Sequence, residues 1–551
     1  MTSRISRRSL LEGVSSLAAM LAASQACSLV PRAPASSRFN PYAAPVNTGP
    51  SSLPVPAVGA TPSAPGTPYI VPTASGWTCT ALLTTGNHVN GYRMVGMPDG
   101  LGAFDNGDRT ITVLMNHEIA PSRGATRAHG GRGAFVSRWT IDKDRLEVAS
   151  GRDFLGAPQN LHVWIDGAWK AGERAMGARI DINRLCSADL APVSAFYDRA
   201  TARGYNGRLF LNGEESNNSA NRAFAWVVAD GTAYELPAFA FGTVNDRVDP
   251  PPSWENLLAN PATGDATVVM ALSDGGTNQV YVYIGKKQSE GAPPQRAGLA
   301  DGRIFSLLVP GVPREDRNTN VGISKSLVGR GAGQRIALAA PNRGTSFLRP
   351  EDGAWDPRNP NVFYFVTTDR NNFAADGTVR EGQDVQQIGR SRLWAVTFDD
   401  VARIVTDGRP TARLELLLDG TEGGDMFDNI AVDRSRVIYL CEDPGNVRHN
   451  AKMWSYDVAS GAFTTIMKFD PAKFGDVVNR SYTPPVAPFT DDKETSGVID
   501  VTDLFADAAW FRSGSTVLLV DVQAHFNYDA SDPIGAELVQ GGQLLLLVKA
   551  P

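Results

Sequence analysis

The feature that most constrains this chain is a recurring phrase, an apolar run of strand length that ends in polar or acidic residues and is followed by a second run carrying Trp, Tyr or Phe. The clearest copy lies within Phe347–Asn372, where Val362–Thr367 is apolar, the Arg349-Pro350-Glu351-Asp352 cluster precedes it, and Asp369, Asn371 and Asn372 follow. Runs of this length, rich in β-branched and aromatic residues and bounded by Pro, Asn and Asp, read as buried strands. Paired copies begin at Thr110 and Ala134, Arg208 and Ala223, Thr267 and Gln279, Val362 and Arg392, Val437 and Lys452, and Thr516 and Gln543. Several are preceded by one kind of turn, at Pro98–Asp108, Arg349–Pro360 and Met426–Arg436, where an acidic residue precedes a short apolar strand and an Asp-led turn reverses the chain.

Repeated strand pairs with long, irregular spacing predict an all-β fold, a six-bladed β-propeller with inserted loops. Two stacked β-sandwich domains are the structural alternative. Gly (54 residues) and Pro (36) are plentiful in the 551-residue chain, which suits many short strands joined by turns. The net charge of −6, with both signs interspersed, leaves no basic footprint for nucleic acid or an anionic membrane surface.

Ser6-Arg7-Arg8-Ser9-Leu10-Leu11, a modest apolar run to Ala23 and small residues before Cys27 predict a Tat-type signal peptide over residues 1–26. The apolar run is too short and mild for a transmembrane span. Periplasmic or extracellular localisation follows, with Cys27 as a candidate lipid anchor although Ser24 departs from a lipobox. Residues 27–72 are dominated by Pro, Ala, Ser and Gly and predict a linker, and 73–551 the propeller. Cys27, Cys79, Cys186 and Cys441 are too few and scattered for a disulfide framework or a C-x-x-C zinc site; one disulfide among the last three is open.

In a propeller, acidic strand ends from different repeats become neighbours at one mouth. The candidates are Glu118, Glu214, Glu215, Glu255, Asp274, Glu351, Asp352, Asp428 with Asn429, Glu442, Asp443 and Glu494. Of these, Glu215, Asp352 and Glu442 are expected to be bystanders, because strand alternation points neighbours to opposite faces. Converging carboxylates need cations, and an all-oxygen set suits Ca²⁺ first. The six histidines show no zinc-hydrolase spacing. G-x-S-x-G, Walker and G-x-G-x-x-G motifs in the required context are missing. Arg349 is either a partner for a turn carboxylate or a bidentate clamp for a phosphoryl group.

Asn116-His117-Glu118, Asn212-Gly213-Glu214-Glu215, Trp254-Glu255-Asn256, Leu272-Ser273-Asp274-Gly275, Arg349-Pro350-Glu351 and Thr495-Ser496-Gly497 with Val522-Gln523 occur in the order of motifs in the PhoX family. The chain resembles these secreted, Tat-exported bacterial alkaline phosphatases over nearly all of its mature length. The resemblance implies a six-bladed propeller with calcium and iron at one mouth, hydrolysing small phosphate monoesters. It also implies metal-ligand roles for Glu214, Glu255 and Glu351 and phosphate contact for Arg349. Together with the strand-end acids, the expected metal set is Glu118, Glu214, Glu255, Asp274, Glu351, Asp428 and Glu494. Gly213 stands where the family has a cysteine iron ligand, so Ca²⁺ is expected and Fe³⁺ disfavoured. A calcium-dependent lactonase or arylesterase and a non-catalytic, calcium-stabilised binding propeller are the competing readings.

Overall fold

The computed structural model describes residues 66–216, 221–240, 252–330, 333–370, 390–404, 412–478 and 481–551. The proposed signal peptide, Cys27, most of the linker, Asn371 and Asn372 lie outside them. Among the described residues the strands form antiparallel four-stranded meanders. The first contains Pro98–Asp105, Thr110–His117, Phe135–Asp142 and Val148–Asp153. The second contains Leu185–Asp189, Leu209–Glu214, Ala223–Val227 and Thr232–Glu235, extended by Leu161–Ile165 and Ala168–Ala171. Trp254–Ala259, Ala266–Ser273, Val280–Lys286 and Arg303–Leu308 make the third. Pro350–Trp355, Val362–Thr367, Arg392–Phe398 and Ala412–Leu418 make the fourth. Phe427–Val432, Val437–Glu442, Lys452–Asp457 and Phe463–Phe469 make the fifth. The last combines Lys493–Asp500, Thr516–Asn527 and Gln540–Lys549 with Trp77–Thr84. Because Trp77–Thr84 pairs with Gln540–Lys549, chain segments hundreds of residues apart close one sheet.

The opening strands of successive meanders are neighbours in cyclic order, and the last returns to the first. This is the radial layout of a β-propeller, all-β as the repeats predict. A separate apolar core fills each gap between adjacent meanders. Leu518 and Val520, for example, pack toward the fifth meander with Tyr439 and Cys441, while Val517 and Leu519 pack toward the first with Ile111 and Val113. Alternate residues of one strand thus enter different cores, so second strands read as unbroken apolar runs rather than alternating ones.

Two sequence boundaries move. Ile70–Pro72, assigned to the linker, is a strand paired with Phe463–Phe469. The segments read as turns plus short strands at Pro98, Pro350 and Phe427 are the channel-lining strands, and their acidic residues lie inside the strand. Each of the opening strands also carries a one-residue bulge against its partner near its start, at Asp99/Leu101, Leu185/Ala188, Trp254/Asn256, Pro350/Gly353, Phe427/Ile430 and Thr495/Val498. A bulge unpairs one residue and re-aims side chains. Repeated around the axis, it gives every meander the same device at the same mouth.

Candidate metal centre

The second residue of each opening strand is a metal-ligand type: Asp99, Cys186, Glu255, Glu351, Asp428 and Glu494. The leading residues of these strands pair with His117, Glu214, Ser273, Thr367, Glu442 and Ala524. The next residues along the partner chain are Glu118, Glu215, Asp274, Thr368, Asp443 and His525. The two sets lie together at one mouth. Asp99, Glu118 and Cys186 offer ligand atoms within 4.8 Å of one another, as do Cys186, Glu215 and Glu255, and Glu255, Glu351 and Asp428, and all these residues are buried. Shared Cys186 and Glu255 join the groups into one chain of donors.

Hydrogen bonds hold this chain in place. Ser187 Oγ donates to Glu255 Oε1 at 2.6 Å, and Asn429 Nδ2 donates to Ser187 Oγ at 2.8 Å and Asp99 Oδ1 at 3.0 Å. Gln523 Nε2 donates to Glu118 Oε2 at 2.9 Å, and the Cys186 thiol faces Asp99 Oδ2 at 3.3 Å. Glu494 accepts from Ser496 Oγ and lies 3.5 Å from His525 Nε2.

Arg184, Arg349 and His525 bring positive charge to these acids. Arg184 pairs with Glu118 and with Glu215 Oε2 at 2.7 Å. Arg349 forks onto Asp274, with Nε–Oδ1 at 2.7 Å and Nη2–Oδ2 at 2.5 Å, and reaches Glu351 Oε1 at 2.9 Å. This compensation is incomplete. Burial, then the carboxylates of Glu118, Glu494, Asp521 and Glu255, push Asp99 well above its ordinary range. Burial and neighbouring carboxylates, Glu215 first among them, do the same to Glu255, and burial followed by Glu351 does so to Asp428. Burial raises Glu351 too, with Asp274 adding to the rise and Arg349 opposing it, and burial pushes Glu215 up to about 7 against the pull of Arg184. Buried acceptors also lack hydrogen bonds among the described residues: Glu255 Oε2, Glu351 Oε2, Asp428 Oδ1 and Asp443 Oδ2. Such acceptors call for an explanation, and cations supply one. The donor set therefore fits metal ions.

The structure redistributes the sequence candidates. Glu118, Glu255, Glu351 and Asp428 lie in the donor groups, while Glu494 sits beside His525. Asp274 is taken up by Arg349. Glu214, expected as a ligand, instead faces away, accepting from Arg222 Nε at 2.9 Å, Arg222 N at 2.9 Å and Asn183 N at 2.9 Å. Glu215, expected as a bystander, enters the donor chain, because strand alternation separates the two. Asp352 is held by Asn256 Nδ2 and the Gly353 and Ile430 amides, and Glu442 by Trp454 Nε1, His449 and the Asp425 amide.

Asp99, Cys186 and His525 escaped the sequence reading of the site. Cys186 bears on the argument made from Gly213. A Cβ at Gly213 would lie 2.3 Å from Trp254 Cβ, so a cysteine there would force the packing apart, and a thiol able to join the donor groups lies instead on the opening strand of the same meander. Among the described residues Cys79, Cys186 and Cys441 form no disulfide with one another. The repeated place of the second residue in each bulged strand would have found Asp99 and Cys186, but Leu185-Cys186-Ser187-Ala188-Asp189 has no apolar pattern to reveal a strand.

No protein-family model matches the chain, and no curated protein matches it in sequence. Among solved structures, it aligns with Pseudomonas fluorescens PhoX in complex with vanadate, a transition state analogue, at TM-score 0.53 and 12% identity, over 89% of this chain and 97% of that one. The chain is distantly similar to PhoX in fold. Weaker alignments include Trypanosoma rangeli sialidase in complex with sialic acid (TM-score 0.32, 8% identity, 86% of this chain and 59% of that one). A GH43 β-xylosidase/α-arabinofuranosidase from a compost microbial metagenome aligns at TM-score 0.28 and 12% identity, over 86% of this chain and 94% of that one. The PhoX likeness shows the fold; the site rests on the side chains described above.

Proposed function

We propose that the protein is an exported, metal-dependent hydrolase of small phosphate monoesters whose centre is the acidic mouth. The carrying observation is the chain of buried donors running from Asp99 through Cys186 and Glu255 to Asp428, in a fold shared with PhoX. Glu255, Glu351 and Asp428 form an all-oxygen group suited to a hard cation such as Ca²⁺. The groups containing Cys186 add a soft thiolate, which suits iron and returns Fe³⁺ to the reading. When bound, such ions polarise phosphoryl oxygens and lower the pKa of water.

The chain's own residues supply the rest. Asn429 and Ser187 orient Asp99 and Glu255, while Gln523 orients Glu118. Arg349, fixed by Asp274, presents guanidinium to an incoming phosphoryl group and stabilises its developing charge. Three overlapping donor groups favour several ions, and with them phosphoryl transfer, over a one-calcium lactonase. Export through Arg7 and Arg8 to the periplasm or cell exterior belongs to the same proposal, as does the alternative of lipidation at Cys27. Among the described residues no helix is long and apolar enough to cross a membrane.

Elemental analysis of natively exported protein, with a panel of phosphate monoesters and diesters, tests the proposal. Stoichiometric metal with metal-dependent monoester hydrolysis is expected. Metal-free protein that hydrolyses no ester would replace it with the binding-propeller reading.

A further inference from the structure

The residue immediately before each opening strand is Met97, Arg184, Ser253, Arg349, Met426 or Asp492. Two of these are arginines, in the second and fourth meanders, and their equivalence is visible in the backbone. The carbonyl of Arg184 accepts from the Glu215 amide at 2.9 Å, and that of Arg349 accepts from the Thr368 amide at 3.0 Å. Met97 and Met426 make the same bond to Glu118 and Asp443, each at 2.9 Å. Arg349 holds this place with φ of 62°, as Met97 and Met426 do with 52° and 50°, a left-handed conformation that costs a side-chain-bearing residue energy.

The side chains repeat the relationship. Arg184 reaches back to the preceding meander's Glu118 and pairs with its own meander's Glu215. Arg349 reaches back to the preceding meander's Asp274 and pairs with its own meander's Glu351. The change of second partner has a cause: Thr368 occupies the place that Glu215 fills in the second meander, so Glu351 becomes the carboxylate at hand. Arg184 pairs with Glu215 and Arg349 with Glu351, and both carboxylates share donor groups with Glu255, which places the two guanidiniums around one part of the mouth. Their side chains are 13% and 11% exposed, against 2–7% for the carboxylates they hold, so an approaching anion meets them first.

We infer that Arg184 and Arg349 form a paired guanidinium clamp for a tetrahedral oxyanion, with Arg184 contacting the phosphoryl group alongside Arg349. This deepens the phosphatase reading and rests on it for the identity of the anion. Two forks can each engage separate oxygens, and a phosphate monoester has three non-bridging oxygens where a diester has two. The clamp therefore selects for a dianionic monoester head.

The test is calorimetric binding of inorganic phosphate to purified, metal-bearing protein, which requires no turnover. Arg184→Lys and Arg349→Lys keep one positive charge and lose the fork. Each is expected to weaken phosphate binding by roughly 10- to 100-fold, the size of one to two charge-assisted hydrogen bonds, with metal content and melting temperature retained. Arg184→Lys with wild-type phosphate affinity overturns the inference, even if esters are hydrolysed. Loss of metal in parallel with phosphate also overturns it, since Arg184 would then serve only to hold Glu118 and Glu215. Phosphate binding that depends on both arginines without hydrolysis of any ester leaves the clamp standing and removes the phosphatase reading.

Discussion

Glu214 and Glu215 are adjacent in sequence yet face opposite surroundings, Glu214 closed by Arg222 and Asn183, and Glu215 grouped with Cys186 and Glu255. One residue of strand alternation separates a structural carboxylate from a candidate ligand. Glu215→Gln is expected to reduce metal content and ester hydrolysis while altering the melting temperature little. Glu214→Gln leaves the buried Arg222 guanidinium without its carboxylate and should cost roughly 3–5 kcal/mol of stability. Denaturant unfolding and elemental analysis of both variants check the contrast. Equal metal loss in both would contradict the assignment.

Cys186→Ser replaces the thiol by a hydroxyl of similar shape in the buried mouth. Iron content is expected to fall, while calcium at the all-oxygen group of Glu255, Glu351 and Asp428 persists. Gly213→Cys, by contrast, should destabilise the protein without adding a ligand, because its Cβ meets Trp254. Metal analysis with thermal unfolding reads both effects, and iron retained in Cys186→Ser would remove the thiolate role.

Chelation should make stability fall as pH rises. In the metal-free chain Asp99, Glu255, Glu351 and Asp428 have folded pKa values above their unfolded ones, and burial raises Glu215 to about 7. The folded state then binds more protons than the unfolded state. Their stabilising protonation is complete below the unfolded carboxylate range near pH 4 and is lost as pH rises through the folded values. The melting temperature of chelated protein is expected to drop between about pH 4 and 8, and added Ca²⁺ to restore it most at the alkaline end. A chelated protein whose stability rises across that window would show that the acids are compensated by other means.

The Arg127–Asp153 pair gives an opposite pH signature at another site. Burial pushes Asp153 up, but the Arg127 guanidinium and the hydrogen bonds from Ala128 and Tyr92 outweigh it and hold the carboxyl below its ordinary range. Its contribution is present above the unfolded value and lost as pH falls through the folded one. Asp153→Asn should therefore destabilise the protein at neutral pH by roughly 3 kcal/mol and much less near pH 2. Equal destabilisation at both pH values would exclude the ionic contribution.

Replacing Arg7 and Arg8 together with Lys should keep the protein in the cytoplasm if they form the proposed export signal. Fractionation with an antibody to the propeller detects this directly. Unaltered export of the double variant would sink the proposal for this segment without touching the site.

The all-β class and the paired strands were legible because those strands are packed on both faces, and such burial demands apolar runs like Val362–Thr367 and Val517-Leu518-Leu519-Val520. The opening strands were legible only in part: those at Pro98, Pro350 and Phe427 read as short strands within turns, and those at Leu185, Trp254 and Lys493 did not read as strands. Buried around the channel by one another, they carry polar side chains that hydrogen-bond across it, such as Asn429 to Asp99, and so show neither hydrophobic period. Several acids of the candidate donor groups could be named from the sequence, including Glu118, Glu255, Glu351 and Asp428.

By itself the sequence determined that strands repeat, that acids gather at their ends, and that Arg349 precedes one such end. Only the tertiary structure decided which neighbour faces the mouth, since alternation separates Glu214 from Glu215 but the packing of the strand against Leu185–Asp189 and Trp254–Ala259 sets which side is the mouth. It also brought Cys186 into the candidate donor groups, because which side chains meet depends on which strands the closed ring brings together, and Gly213 has no room for a side chain beside Trp254.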